Sequence, residues 1–266
     1  MTTTRAFVPA LTALTLIALT LGAPVRGFAD NAPVAPNGVL ELEGHTSIVL
    51  QSGGFDFLAD LTGRLEDAGL TFQYRALTLG GYYRLLKNLK VGAFYRLQAG
   101  VRHDDDWGSN PTPLPWSWAA TAGRLENELM ADVSPRFLLD FLPGRSWVLM
   151  LKGRYIYNTF ENQQSIMVRP ELTFFWLVDR QPLLDFQAAY EIYFPLNFGG
   201  TAIYESYPWL GVHYHLTPEV MLELAGSYKS TVWSSSQEWL AAANSPYQVS
   251  YSRWLLSFGV IWTLAP

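Results

Sequence analysis

Apolar and polar residues alternate along almost the whole chain between residues 38 and 264. In the segment 252–264, Trp254, Phe258 and Trp262 fall on one face with three other apolar residues, while Arg253 and Ser257 fall on the other. A period of two residues is typical of a β-strand with one apolar and one polar face. The segments after residue 38 do not show the period of an amphipathic helix, so the pattern predicts an all-β protein.

The alternation predicts nine strands from residue 70 onward. They are 70–86, 90–103, 120–141, 146–158, 163–177, 183–194, 201–216, 220–233 and 247–264. Residues 38–65 supply the rest, and 39–50 and 55–65 look like two separate strands. If these strands form an outer-membrane barrel, we expect both ends of the chain in the periplasm, and the number of strands should then be even. We predict ten strands, with twelve as the alternative.

The connections between these strands fall into two kinds, which alternate along the chain. The short ones are 87–90, 142–145, 178–182 and 217–219, and the longer ones are 103–118, 195–200 and 234–246. Outer-membrane barrels have short periplasmic turns and longer outer loops. The three longer connections are therefore predicted to be external.

The first 29 residues have the organisation of a secretory signal peptide. A short, weakly cationic start precedes an apolar stretch over residues 6–23, and Gly27 and Ala29 have the spacing that a signal peptidase recognises. The alternative is a retained membrane anchor helix. We expect residues 1–29 to be removed, 30–37 to form a short periplasmic segment, and 38–266 to form the barrel.

Composition excludes several classes of function. The absence of cysteine excludes lipoprotein processing, disulfides and catalytic thiols. Without residues 1–29, which hold Arg5 and Arg26 and no acid, 16 basic and 23 acidic residues remain, a net charge of −7 that argues against a nucleic-acid partner. Ten tryptophans and fourteen tyrosines suit two interfacial girdles.

Alternation alone would also suit a secreted lipocalin-like barrel or a β-sandwich. The end of the chain favours a membrane barrel, because Ser257 is followed by Gly259 and then by hydrophobic residues at Trp262 and Leu264. This pattern resembles the C-terminal assembly signal of bacterial outer-membrane β-barrel proteins. The resemblance implies a transmembrane antiparallel up-and-down β-barrel in the outer membrane of a Gram-negative bacterium, with membrane lipids and the barrel-assembly machinery as partners.

The polar face of such a barrel lines its lumen, where we expect charges of both signs. Arg84, Arg96 and Arg102 fall on two adjacent strands, and the next strand carries three acids, Glu126, Glu128 and Asp132. Ten or twelve strands enclose a lumen little wider than side chains can fill. We therefore expect a salt-bridged lumen, with an anion-attracting constriction as the alternative. The corresponding function is a narrow, porin-like pore or a passive envelope protein without a cofactor.

Two other functions stay open from the sequence. His213, His215 and Glu223 share the polar face of two adjacent strands and would serve a barrel enzyme acting on lipid or envelope substrates. Outer-membrane lipid A deacylases have a His-x-Ser spacing, and here the third position is His215, so the nucleophile is missing. We predict that the protein is not an enzyme and binds no metal at this pair. The remaining alternative is a barrel whose outer loops bind a surface ligand.

Overall fold

The computed structural model describes residues 38–66, 72–101, 124–142, 144, 146–199, 201–234 and 248–265. These residues form eleven strands: β1 Val39–Ser52, β2 Phe55–Glu66, β3 Phe72–Leu86, β4 Leu89–Ala99, β5 Leu125–Leu138, β6 Trp147–Asn158, β7 Gln163–Val178, β8 Gln181–Pro195, β9 Glu205–His215, β10 Val220–Ser234 and β11 Gln248–Leu264. Within the described part of the chain, no helix is long and apolar enough to cross a membrane.

The eleven strands form one closed barrel in which neighbours in sequence are neighbours in the sheet. Successive strands are antiparallel, but β1 closes the barrel against β11 as a parallel pair, from Val39 opposite Arg253 to Leu50 opposite Leu264. The prediction of an all-β barrel is confirmed. The predictions of ten or twelve strands and of uniformly antiparallel pairing are wrong.

The miscount arises in residues 38–65, which form both β1 and β2. Gly53 and Gly54 join these strands in a two-residue turn, and Gly53 has a φ of +61°, a conformation that glycine adopts without a steric penalty. The even count followed only from the expectation that both ends of the barrel lie on the same side. With eleven strands, β1 begins at the end of the barrel opposite to the one where β11 finishes.

The two ends of the barrel differ in their connections. One end, the turn end, carries 53–54, 87–88, 139–146, 179–180 and 216–219. The other, the loop end, carries 67–71, 100–124, 159–162, 196–204 and 235–247. The predicted connection 195–200 falls at the loop end, and the strand after it begins at Glu205 instead of 201. The predicted loop 103–118 lies outside the described residues, as does nearly all of 234–246.

The outward and inward faces of the barrel have opposite character. Outward side chains are large and apolar: Leu61 is 61% exposed and Leu210 is 68% exposed. Inward side chains include many buried polar and charged groups, with Asp132 only 2% exposed. A water-soluble barrel has the reverse arrangement, because apolar surface is normally removed from water.

Outward aromatic side chains cluster towards both ends of the barrel. At the turn end, the ring centroids of Phe55 and Tyr83 lie 4.7 Å apart, as do those of Trp147 and Phe174. In the loop-side half, Tyr228 and Trp254 lie 4.7 Å apart. Membrane barrels carry aromatic girdles at two levels, one towards each end of their strands.

Candidate functional site in the barrel lumen

Charged residues of both signs line the lumen, and part of the predicted set meets there. Arg96 Nη1 lies 3.3 Å from Glu128 Oε2 across the β4–β5 pair. Glu126 accepts hydrogen bonds from Asn158 Nδ2 at 2.7 Å and Arg124 Nε at 3.1 Å. These contacts pair acids with bases or amides around the wall.

The two predicted arginines that the structure describes, Arg84 and Arg96, lie apart. Arg84 is exposed near the turn end, where its backbone N–H donates to the carbonyl oxygen of Gly54 at 2.8 Å. Arg96 is paired in register with Thr78, six residues from Arg84 along β3. Arg102 lies outside the described residues. Among the described residues, therefore, the predicted arginine stripe is two separate side chains.

Asp132 is the centre of the most completely satisfied cluster. Its carboxylate accepts hydrogen bonds from Arg154 Nε at 2.6 Å, Arg154 Nη2 at 2.8 Å and the Tyr82 hydroxyl at 2.9 Å. Lys152 Nζ lies 3.7 Å away. A buried charge is tolerated when opposite charges and donors surround it in this way.

An aromatic pair fills lumenal space beside this cluster. Tyr82 and Phe94 pack edge to face with centroids 4.9 Å apart. A Cβ atom at Gly80 would lie 2.5 Å from the Phe94 ring, and one at Gly92 would lie 2.7 Å from the Tyr82 ring. The rings therefore lie directly against strand backbone, a position that only glycine permits.

A further group of ion pairs, which we call the belt, lies where β1 and β11 close the barrel. Arg64 Nη2 donates to Glu43 Oε2 at 2.6 Å, and its Nη1 lies 3.4 Å from Glu41. Arg253 reaches Glu41 at 3.4 Å and Glu205 at 3.5 Å. The belt links β2, β1, β11 and β9, so charge pairing continues across the parallel closure.

Histidines and carboxylates alternate in a second group, which we call the histidine row. His45 Nε2 lies 3.3 Å from Glu223 Oε1, and His213 Nε2 lies 2.9 Å from Glu223 Oε2. His213 Nδ1 lies 3.9 Å from Asp185, whose Oδ2 lies 2.9 Å from His215 Nε2. Glu223 and Asp185 each join two histidines, and Asp60, on the other side of His45, ends a row that spans β2, β1, β10, β9 and β8.

Gly259 makes the first link of the histidine row possible. In register it lies between His45 on β1 and Glu223 on β10. A Cβ atom there would be 2.1 Å from His45 Nε2, so the imidazole crosses β11 only because the residue is glycine. The other ring nitrogen of His45, Nδ1, lies 3.5 Å from Asp60 Oδ2.

Sequence reasoning selected three members of this row and missed three. His213, His215 and Glu223 lie on adjacent strands, whereas His45, Asp60 and Asp185 were not among the candidates. The alternation does place Asp60 and Asp185 on the polar face, so that signal was available. His45 is 178 residues from Glu223, and their contact depends on how the barrel closes, which local alternation does not show.

The predicted assembly residues divide between the two faces. Ser257 and Gly259 face the lumen, and the Ser257 hydroxyl donates to Glu43 Oε1 at 3.3 Å. Trp262 and Leu264 lie among the exposed outward apolar residues. In the folded barrel the polar half of the motif therefore contacts the ion pairs.

Within the described part of the chain, the lumen holds a loop-side cavity and a turn-side cavity of about 250 Å³ each. The loop-side cavity is bordered by Arg96, Arg253 and Glu205 among others. The turn-side cavity is bordered by His45 and Glu223. Different residues line the two cavities, and Glu41 and Arg64 border the first while Glu43 and Thr62 border the second.

The chemistry of the histidine row is that of charge pairing. Both nitrogens of His213 have polar neighbours, which are Glu223, Asp185 and the Gln187 amide. Across the described ranges, no three histidine or acidic side chains are grouped so as to hold a metal ion.

No protein-family model matches the sequence, and no curated protein sequence matches it significantly.

Proposed function

We propose that this protein is an integral outer-membrane β-barrel with a lumen closed by paired charges, acting as a narrow pore or a passive envelope protein. The observation that carries the proposal is the inverted distribution of side chains, with apolar groups outside and ion pairs inside. Its partners would be the outer-membrane lipids and the barrel-assembly machinery, reached after a cleavable signal peptide directs export.

The outward face supports membrane insertion because its apolar surface continues from strand to strand. Large apolar side chains are exposed on all eleven strands. Transfer of each such side chain out of water contributes roughly 1.5–3 kcal/mol. Soluble monomers rarely expose a contiguous apolar patch of more than a few hundred Å², so a hydrocarbon environment fits this surface.

The inward face supports a closed or narrow lumen. The Asp132 cluster, the belt and the histidine row join side chains from several strands, and the Tyr82–Phe94 pair occupies further space. A pore selective for one sign of charge would carry a ring of that sign. Here acids and bases alternate, so we expect any ion current to be small.

A non-enzymatic role is part of the proposal. The described contacts of His213 and His215 are to carboxylates and an amide. A serine hydrolase needs a hydroxyl within hydrogen-bond reach of the imidazole. These contacts favour a structural role for the histidine row over catalysis.

Single-cysteine labelling in intact Gram-negative cells tests the membrane location. The chain has no cysteine, so Leu61→Cys on the outward face and Ala202→Cys in the connection 196–204 each introduce one thiol. We expect a water-soluble maleimide to label Ala202→Cys on intact cells and to label Leu61→Cys only after unfolding in urea. Equal labelling rates for the two thiols on intact cells would contradict membrane insertion.

A further inference from the structure

The loop-side cavity has a lining with more positive than negative side chains. Five cations and three carboxylates border it: Arg64, Arg96, Arg154, Lys229 and Arg253, with Glu41, Glu128 and Glu205. Its volume is about 250 Å³, enough for a small organic ion together with water. Gly100, Phe198 and Tyr204 also border it, so the cavity lies at the end of the barrel from which the loops extend.

The two carboxylates that would balance this charge, Glu43 and Asp132, lie behind the cavity wall. Arg64 is held by Glu43, which borders the turn-side cavity instead. Arg154 is held by Asp132, which is almost completely buried and does not border the loop-side cavity. In both pairs the cation is on the cavity side, so the field within the cavity favours a negative guest.

Two other guanidinium groups are only loosely paired. Arg253 is 6% exposed, its contacts with Glu41 and Glu205 measure 3.4 and 3.5 Å, and its buried Nε has no hydrogen-bond partner within the described ranges. Arg96 meets Glu128 at 3.3 Å. Charge-assisted hydrogen bonds are normally about 2.7–2.9 Å long, and a buried N–H group without an acceptor is unfavourable.

We propose that the loop-side cavity binds a small anion, with its carboxylate or phosphate group held by Arg96 and Arg253. Such a group accepts several N–H donors at once and matches the planar fork of a guanidinium. This binding site is independent of whether the lumen conducts ions.

Calorimetric titration of the full chain folded in detergent tests the site. The probes are succinate, inorganic phosphate and, as a cation of similar size, choline, all at one ionic strength. We expect one or both anions to bind and choline not to bind. Arg253→Gln and Arg96→Gln should each weaken anion binding at least tenfold, because each removes a donor from the cavity. Binding of a single anion supports the site and identifies the head group that it prefers.

Lys90→Gln is the matched control, since Lys90 is a lumenal cation paired with Asp56 near the turn end and does not border the cavity. Its affinity for the anion should equal that of the wild type. Heat-modifiable mobility on a gel verifies that each variant is folded. If Arg253→Gln does not fold, Arg253→Lys keeps the charge but removes the planar fork of the guanidinium, and a similar weakening is expected. The proposal is overturned by no anion binding to the wild type, or by equal affinities across the three glutamine variants.

Discussion

At the scale of single residues, Gly259 decides whether the histidine row can cross the closing strand. Replacing Gly259 with alanine places a methyl group where the His45 imidazole now lies. We expect the ring to move and the contact between His45 and Glu223 to be lost. Loss of one hydrogen bond to a charged group costs about 1.5–3 kcal/mol. Urea unfolding of the detergent-folded protein, followed by tryptophan fluorescence, should show a loss of that size.

Two further variants test whether Gly259→Ala destabilises the protein through the clash with His45. Gly44→Ala is the matched control, because a Cβ atom at Gly44 has no neighbour within 4 Å, and it should change stability little. In a double-mutant cycle, Gly259→Ala should cost much less when His45 is already alanine, since the clash is gone. An undiminished cost in the His45→Ala background would show that Gly259 acts through the assembly signal or the backbone instead.

At the scale of elements, the parallel pairing of β1 with β11 distinguishes this barrel from an even-stranded one. Thr46 and Val260 are partners in that pair, and parallel neighbours lie about 4.8 Å apart, within the range that a disulfide spans. We expect the variant with cysteines at both positions to form an intramolecular disulfide on oxidation. Non-reducing gel mobility of the folded protein measures it.

If β2 were the neighbour of β11 instead of β1, a different pair of cysteines would form the cross-link. Ala59 is on β2, which the structure separates from β11 by the whole of β1. Cysteines at Ala59 and Val260 should therefore not form a disulfide, and efficient cross-linking of that pair with none at Thr46 and Val260 would contradict the parallel closure.

Local alternation predicted the strands well because a two-residue period is imposed by the strand itself. From β3 onward, most predicted boundaries fall within about two residues of the observed ones, and the largest errors flank the long connections, as at β5 and β9. The predicted number of strands was wrong because of β1 and β2. The pattern showed two strands there, but the expectation that both chain ends lie on one side required an even total. The alternation also predicted which charged residues face the buried lumen. It could not predict that His45 contacts Glu223, because that contact depends on how the barrel closes.

At the scale of the whole molecule, the barrel combines an apolar exterior with an interior held by charges. This combination explains why polar and charged side chains outnumber apolar ones at the buried positions of the described residues: the largest fully buried side chains are Tyr251, Glu126, Thr231, Asp132, Ser134 and Ser257. Under the proposed function, stability depends on charge pairing inside the barrel and on lipid outside it. The central claim is that such a molecule inserts into a bilayer and remains nearly closed.

Single-channel conductance in planar bilayers tests that claim most directly, with the wild type compared with the double variant Tyr82→Ala, Phe94→Ala. Removing both rings empties lumenal space beside the Asp132 cluster. The account predicts little or no current through the wild type and larger, steady steps through the double variant. Large ohmic steps through the wild type would contradict a closed lumen. Silence from both proteins, when gel mobility shows them folded, would contradict insertion of an openable barrel.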